Sequence, residues 1–200
     1  MSKKHKEDLF QLPEGAKVLL HACCAPCSSA ILEAMDMRDI RPTVFYSNSN
    51  IFPDEEYITR RDELLRYARE YSVPVIDDTY DHSAWQEIAI GLEDEPERGQ
   101  RCLQCFIYRL KRAAAYAHEN GFTHLATTLA SSRWKDLSQV DAAGEIACSE
   151  YPDLTWWGNN WRKGGLQERR NQIIKEREFY NQQYCGCEFS MLRLTEKDSD

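Results

Sequence analysis

Seven of the eight cysteines in this 200-residue chain fall in three tight groups: Cys23, Cys24 and Cys27; Cys102 and Cys105; Cys185 and Cys187. Buried apolar thiols are common one at a time but do not cluster in this way, so the groups point to metal or redox chemistry. In Cys102-x-x-Cys105 the i and i+3 positions share one side of a turn or helix, and both sulfurs can reach one centre. In Cys185-Gly-Cys187 alternate residues of an extended chain point the same way, and the glycine permits close backbone approach. Cys23 and Cys24 are adjacent. In extended backbone such side chains point apart, which suits two neighbouring centres better than chelation of one ion. Cys27 follows in a Cys24-x-x-Cys27 spacing with Pro26 inside the turn. A structural zinc takes four ligands, and a cubane iron–sulfur cluster takes four thiolates, or three with one iron left open. Seven cysteines exceed either, so a second metal or a redox thiol accompanies the first. Spacing leaves zinc and iron–sulfur both open and favours iron–sulfur. Cys148 stands alone on an amphipathic segment and reads as ordinary core.

The elements that must position these thiols alternate between strand and helix. KVLLHA, PTVFYS (42–47), VPVID (73–77), HLATTL and a weaker LTWWG read as strands. Helices are expected from a Ser28 or Ser29 cap to about Arg38, from an Asp54 cap onward, near 82–92, over 103–120 to an Asn120–Gly121 stop, over about 135–149 and over 166–183. Such alternation predicts an α/β fold, a mostly parallel sheet with helices on both faces, as a single domain over 1–200 with polar tails outside about 17–190. In these folds ligands gather at the C-terminal ends of the strands. Cys23 and Cys24, Ser47 and Asn48, and Ser131 and Ser132 all follow strands. The first strand–helix turn would hold a glycine-rich phosphate loop in a nucleotide-binding member, and this chain has HACCAPCSS instead. ATP-dependent chemistry is therefore not expected.

No apolar run is long enough to span a bilayer, and the charged start MSKKHKEDLF lacks the apolar region of a signal peptide. The expected location is cytoplasmic, where thiols stay reduced. Net charge is −8, but residues 1–97 carry 10 basic and 20 acidic side chains while 98–200 carry 15 and 13. The segments 98-RGQRCLQCFIYRLKR-112 and 162-RKGGLQERRNQIIKER-177 are the basic ones. They are read either as solvated helix faces or as one nucleic-acid-binding face.

The segments LLHACCAPCSS, FYSNSNIFPDEEYITRRDEL, ERGQRCLQCFIYRLKRAAAYAHENGFTHLATTLASSRWKD and FYNQQYCGCEFS together resemble the QueH-type epoxyqueuosine reductases, over about residues 17–190. The resemblance implies an adenine-nucleotide hydrolase-like (HUP-type) architecture. It implies reductive removal of the epoxide oxygen of epoxyqueuosine at the tRNA wobble position, the last step to queuosine, with an external electron donor. It further implies a [4Fe–4S] cluster and an adjacent mononuclear iron. Cys23, Cys24, Cys102, Cys105, Cys185 and Cys187 would then be metal ligands, and Cys27, where some relatives carry aspartate, a ligand of the single iron. Removing the oxygen takes two electrons and two protons. Tyr46, Tyr184, His21 and Asp136 lie in the motifs as proton-donor candidates. For a tRNA substrate, Lys135, Trp161, Arg162, Lys163, Arg169 and Arg170 are the expected nucleic-acid contacts, with phosphates positioned by the cations and unstacked bases on an aromatic. Trp134, Trp156 and Trp157 are further candidates for such an aromatic platform; the last two read more readily as core strand residues, and Trp161 as exposed. The chain departs from the family pattern at 132-SRWK-135 and at Trp161-Arg162-Lys163. A zinc-bound module without catalysis, an ATP-using tRNA thiolation enzyme and a thiol–disulfide oxidoreductase using Cys102 and Cys105 are the competing readings.

Overall fold

A computed structural model describes residues 9–197. Five strands, all parallel, lie in the order β3-β2-β1-β4-β5. β1 (Val18–His21) is central and buried along its whole length, as its unbroken apolar run requires when both sheet faces are covered. It pairs with β2 (Thr43–Tyr46) on one side and β4 (His124–Thr127) on the other, with Leu20 opposite both Val44 and Ala126. β3 (Val75–Asp77) and β5 (Thr155–Trp156) form the edges. The chain runs outward from β1 through β2 to β3 and then returns to β4 on the opposite side of β1. The C-terminal ends of β1 and β4 therefore flank the topological switch point, the crevice where such sheets bind ligands.

The helices form two packed groups. α1 (Ala25–Asp36) lies against α2 (Asp54–Glu70) and α6 (Leu166–Glu176), whereas α4 (Gln100–Glu119) lies against α5 (Leu137–Cys148). The short α3 (His82–Glu87) buries Trp85. A 3-10 turn, Thr128–Ser131, follows β4 directly. The buried core runs between sheet and helices and includes Leu19, Leu20, Val44, Leu64, Leu110, Ala113, Leu125 and Val140. Cys148 belongs to it, and burial pushes its thiol up to about 12.

Several boundaries differ from the sequence expectation, for local reasons. α1 begins at Ala25, with Cys24 in extended backbone as its N-cap and Pro26 in the first turn, where the missing N–H costs nothing. Ser28 and Ser29 are not caps. They are buried inside the helix, and their hydroxyls donate to the Cys24 and Pro26 carbonyls. Asp54 is the first residue of α2, with Pro53 as the N-cap in its place. α4 starts at Gln100, so Cys102 and Cys105 both lie in its first two turns. α6 ends at Glu176 and releases residues 177–187 as a loop. Phe10 is buried against Trp161, and residues after Met191 continue a helix, α7 (Glu188–Lys197). Residues 1–8 of the expected polar N-terminus lie outside the described residues.

Candidate functional site

Cys23 leaves the end of β1, Cys24 caps α1 and Cys27 sits one turn into it. Their three sulfurs lie within 4.8 Å of one another, and Cys23 Sγ is 3.8 Å from Cys24 Sγ. The expectation that the adjacent pair points apart is therefore wrong. The chain turns from strand into helix at Cys24, so alternation does not apply across the pair. Cys24 and Cys27 thiols donate toward Cys23, which holds Cys23 well below the usual thiol range and pushes Cys27 up to about 11. The N-terminus of α1 adds its partial positive charge to the thiolate that results. Thr128, in the turn after β4, braces Cys23: its hydroxyl accepts from the Cys23 N–H at 3.1 Å.

The other two groups come from α4 and the C-terminal loop. Cys105 is buried with Trp85, and Cys187 packs against the same cluster. Burial raises the Cys102, Cys105 and Cys187 thiols, Cys187 to about 12. Burial also pushes on Cys185, but the Lys135 ammonium, with Nζ 3.1 Å from Cys185 Sγ, brings it below its ordinary value. Lys135 itself is lowered by burial and raised more strongly by Cys185 and Cys23. One low-pKa thiol in each half of the constellation thus faces the same ammonium.

The Cys185–Cys187 loop is held from α2. Buried Arg60 pairs with Glu56 at 2.6 Å and donates to the Tyr184 and Cys185 carbonyls. Gly186 adopts φ +126°, and a Cβ there would lie 3.0 Å from Ile51 and 3.1 Å from Arg60. Its carbonyl accepts from the Phe52 N–H at 2.8 Å. Only glycine meets both conditions.

These residues surround a cavity of about 690 Å³. Six clustered cysteines line it, with Cys105 behind them. Six cations, Arg60, Arg98, Arg101, Arg109, Lys135 and Arg170, line it against two acids, Glu97 and Asp136. The donor set fits a thiolate-ligated metal centre: soft sulfurs converge, and buried positive charge offsets theirs.

Other expected site residues are placed differently. His21 is fully buried, hydrogen-bonded to Thr127 Oγ1 and to the Ser47 carbonyl, and burial lowers it to about 3. It is neutral, away from the cavity wall, and not a proton donor to it. Tyr46 is buried too, donating to the Tyr57 carbonyl. Tyr184 lines the cavity, but its hydroxyl is committed to the Phe52 carbonyl. Asp136 caps α5, and its hydrogen bonds from Ser138 and Gln139 keep it an ionised acceptor. Ser47 donates to Asp78, Asn48 to the Ala22 carbonyl, and Ser131 to the Cys27 carbonyl.

The basic segments are mostly engaged inside the protein rather than forming one free face. Arg169 pairs with Glu33 and Glu176, Arg177 with Glu70, Arg112 with Asp78 and Lys111 with Glu150. Arg170 donates to the Pro26 and Ser131 carbonyls beside Cys27, and Arg162 donates to the Ser132 and Lys135 carbonyls. Trp161, expected outside, is 1% exposed and donates to the Thr127 carbonyl, so no base can stack on it. Trp156 and Trp157 are half-buried against the core, and Lys163 is exposed. Sequence reasoning missed Arg60, Arg109, Thr128 and Trp85. Arg109 had a readable signal: it follows Cys102 and Cys105 at i+7 and i+4, on one helix face. The others meet the site only through tertiary packing.

A family profile described as "Epoxyqueuosine reductase QueH" matches residues 18–193. A curated relative of that name from Histophilus somni (strain 129Pt) is 47% identical over 189 residues, 94% of this chain and 77% of the relative. Another, from Acinetobacter baylyi, is 46% identical over 183 residues, 91% of this chain and 84% of the relative. A third, from Thermotoga maritima, is 32% identical over 186 residues, 92% of this chain and 94% of the relative. With its cysteine groups gathered at one end of the sheet, this chain belongs to the epoxyqueuosine reductase QueH family.

Proposed function

We propose that the protein is an epoxyqueuosine reductase that converts epoxyqueuosine at the tRNA wobble position to queuosine, drawing on an external electron donor. The observation that carries the proposal is the meeting of three sequence-distant cysteine groups around Lys135 in one cavity, in a chain so similar to named reductases. Cys102, Cys105, Cys185 and Cys187, with Cys23, Cys24 and Cys27, would hold the metal centre, read as a [4Fe–4S] cluster and an adjacent iron. Bound there, such a centre supplies electrons and a Lewis acid for epoxide opening.

The chain's own residues do the rest. The cavity volume is in the range of small-molecule sites and suits a single extruded nucleoside. Lys135 sets a positive charge beside two thiolates, where negative charge accumulates as carbon–oxygen bonds break. Arg60 and Arg109 fix the surrounding backbone: Arg109 donates to the Ser47 carbonyl and to Asn48 Oδ1. Zinc is the competing occupant for the convergent Cys23, Cys24 and Cys27 sulfurs. To test the function, iron-loaded protein is incubated without oxygen with epoxyqueuosine-containing tRNA and a reductant, and the nucleosides are resolved by mass spectrometry. Queuosine is expected. Persistence of epoxyqueuosine with iron and sulfide intact counts against the proposal.

A further inference from the structure

We infer that Trp134 is a stacking platform at the cavity mouth for an unpaired nucleotide beside the reacting base, flanked by Arg133 for an adjoining phosphate. The inference rests on the tRNA substrate proposed above and assigns a contact that the substrate would make. Trp134 is 67% exposed, the most exposed aromatic among the large apolar side chains at the surface. It also lines the cavity that holds the cysteines, and it lies one residue from Lys135.

Its loop is not slack. Arg98 donates from Nε to the Trp134 carbonyl at 3.0 Å and from Nη2 to the Arg133 carbonyl at 3.4 Å. Arg162 reaches from the other side to the Ser132 and Lys135 carbonyls at 2.6 and 2.8 Å. The Lys135 N–H closes a turn onto the Ser132 carbonyl. Two guanidinium groups therefore fix the backbone of residues 132–135 while leaving the indole outside. Lys135 then reaches the sulfur of Cys185, and Trp134 marks the entrance. The Arg133 guanidinium lies 5.1 Å from the ring centroid, a cation–π contact that orients the ring and places positive charge beside it. A rigid exposed aromatic with adjacent cations is how proteins hold single-stranded nucleic acid, because each base has a π-face and each linkage a negative charge.

A loop nucleotide fits better than a protein or a lipid. The platform is one ring rather than an apolar patch, and it borders a cavity sized for a single nucleoside whose walls carry six cations. The neighbouring acid, Glu97, accepts from Ser190 Oγ at 2.7 Å.

The test measures binding of full-length protein, prepared without oxygen, to an anticodon stem-loop RNA by fluorescence anisotropy. The loop is either intact or abasic on one side of the wobble position. Trp134→Ala is expected to weaken binding by about tenfold or more, Trp134→Phe to retain most of it, and both to keep wild-type iron content. In turnover, Trp134→Ala raises KM with little change in kcat. One of the two abasic loops should cost the wild type a similar factor and cost Trp134→Ala nothing further. Wild-type affinity in Trp134→Ala, or losses from the variant and from each abasic loop that multiply independently, would overturn the inference while leaving the reductase assignment intact. Failure of the wild type both to bind the hairpin and to form queuosine would instead remove the tRNA substrate on which it rests.

Discussion

At the residue scale the decisive side chain is Lys135. Sequence reasoning assigned it to nucleic acid, yet its Nζ lies 3.1 Å from Cys185 Sγ and its charge is felt at Cys23 as well. Cys185 is held below its ordinary thiol value, against the upward push of burial, and the Lys135 ammonium lowers it most. Thiolate, not thiol, reacts with an alkylating agent. In metal-free protein, the Cys185 alkylation rate should therefore be level with pH above its depressed pKa and fall as pH drops through it. Lys135→Gln removes the cation and moves that fall upward. At neutral pH the variant should react more slowly than the wild type, because less of its Cys185 is thiolate. Peptide mapping after timed alkylation reads Cys185 separately from the other thiols. An unchanged profile would show that Lys135 does not set the thiolate.

At the element scale, the site depends on how α1, α2 and the 177–187 loop meet. Gly186 makes a specific demand, since φ +126° is outside the range of L side chains and an added Cβ would press on Ile51 and Arg60. Gly186→Ala should cost about 1–3 kcal/mol in stability from backbone strain. It should also lower iron content by displacing the two flanking cysteines. Urea unfolding and metal analysis of the variant measure the two effects. Arg60→Ala acts from the opposite side. It leaves Glu56 buried without its ion-pair partner, 2.6 Å away in the wild type, and held only by the Tyr180 hydroxyl at 2.7 Å, and should cost up to about 3–5 kcal/mol. Equal stability of wild type and Arg60→Ala would mean that the pair does not anchor the loop.

This is also where the sequence stops being sufficient. The strands were legible because each is a short apolar run bounded by turn residues, and the three cysteine groups were legible because clustered thiols have few other uses. The direction of the Cys23 and Cys24 side chains was not, because it depends on a helix beginning at Ala25 rather than after Ser28. Nor was the fate of the basic segments. Arg162, Arg169 and Arg170 look free in one dimension and are engaged by carbonyls and carboxylates that lie 27 to 144 residues away. Trp161 read as exposed from its polar neighbours, but packing against Phe10 and Trp157 buries it.

At the scale of the whole molecule, the parallel sheet with its order β3-β2-β1-β4-β5 brings the ends of β1 and β4 together at the switch point. There a helix N-terminus and a 3-10 turn hold the first three thiols, and α4 and the C-terminal loop bring Cys102, Cys185 and Cys187 to the same cavity, with Cys105 buried beside Trp85. No helix among the described residues is long and apolar enough to cross a membrane. The central claim is the proposal that these seven thiols hold a [4Fe–4S] cluster and an adjacent iron. Its most direct test is iron, acid-labile sulfide and zinc per chain in protein purified without oxygen. A cluster plus an adjacent iron predicts about four sulfides and about five irons per chain with little zinc. Stoichiometric zinc with no sulfide would contradict it.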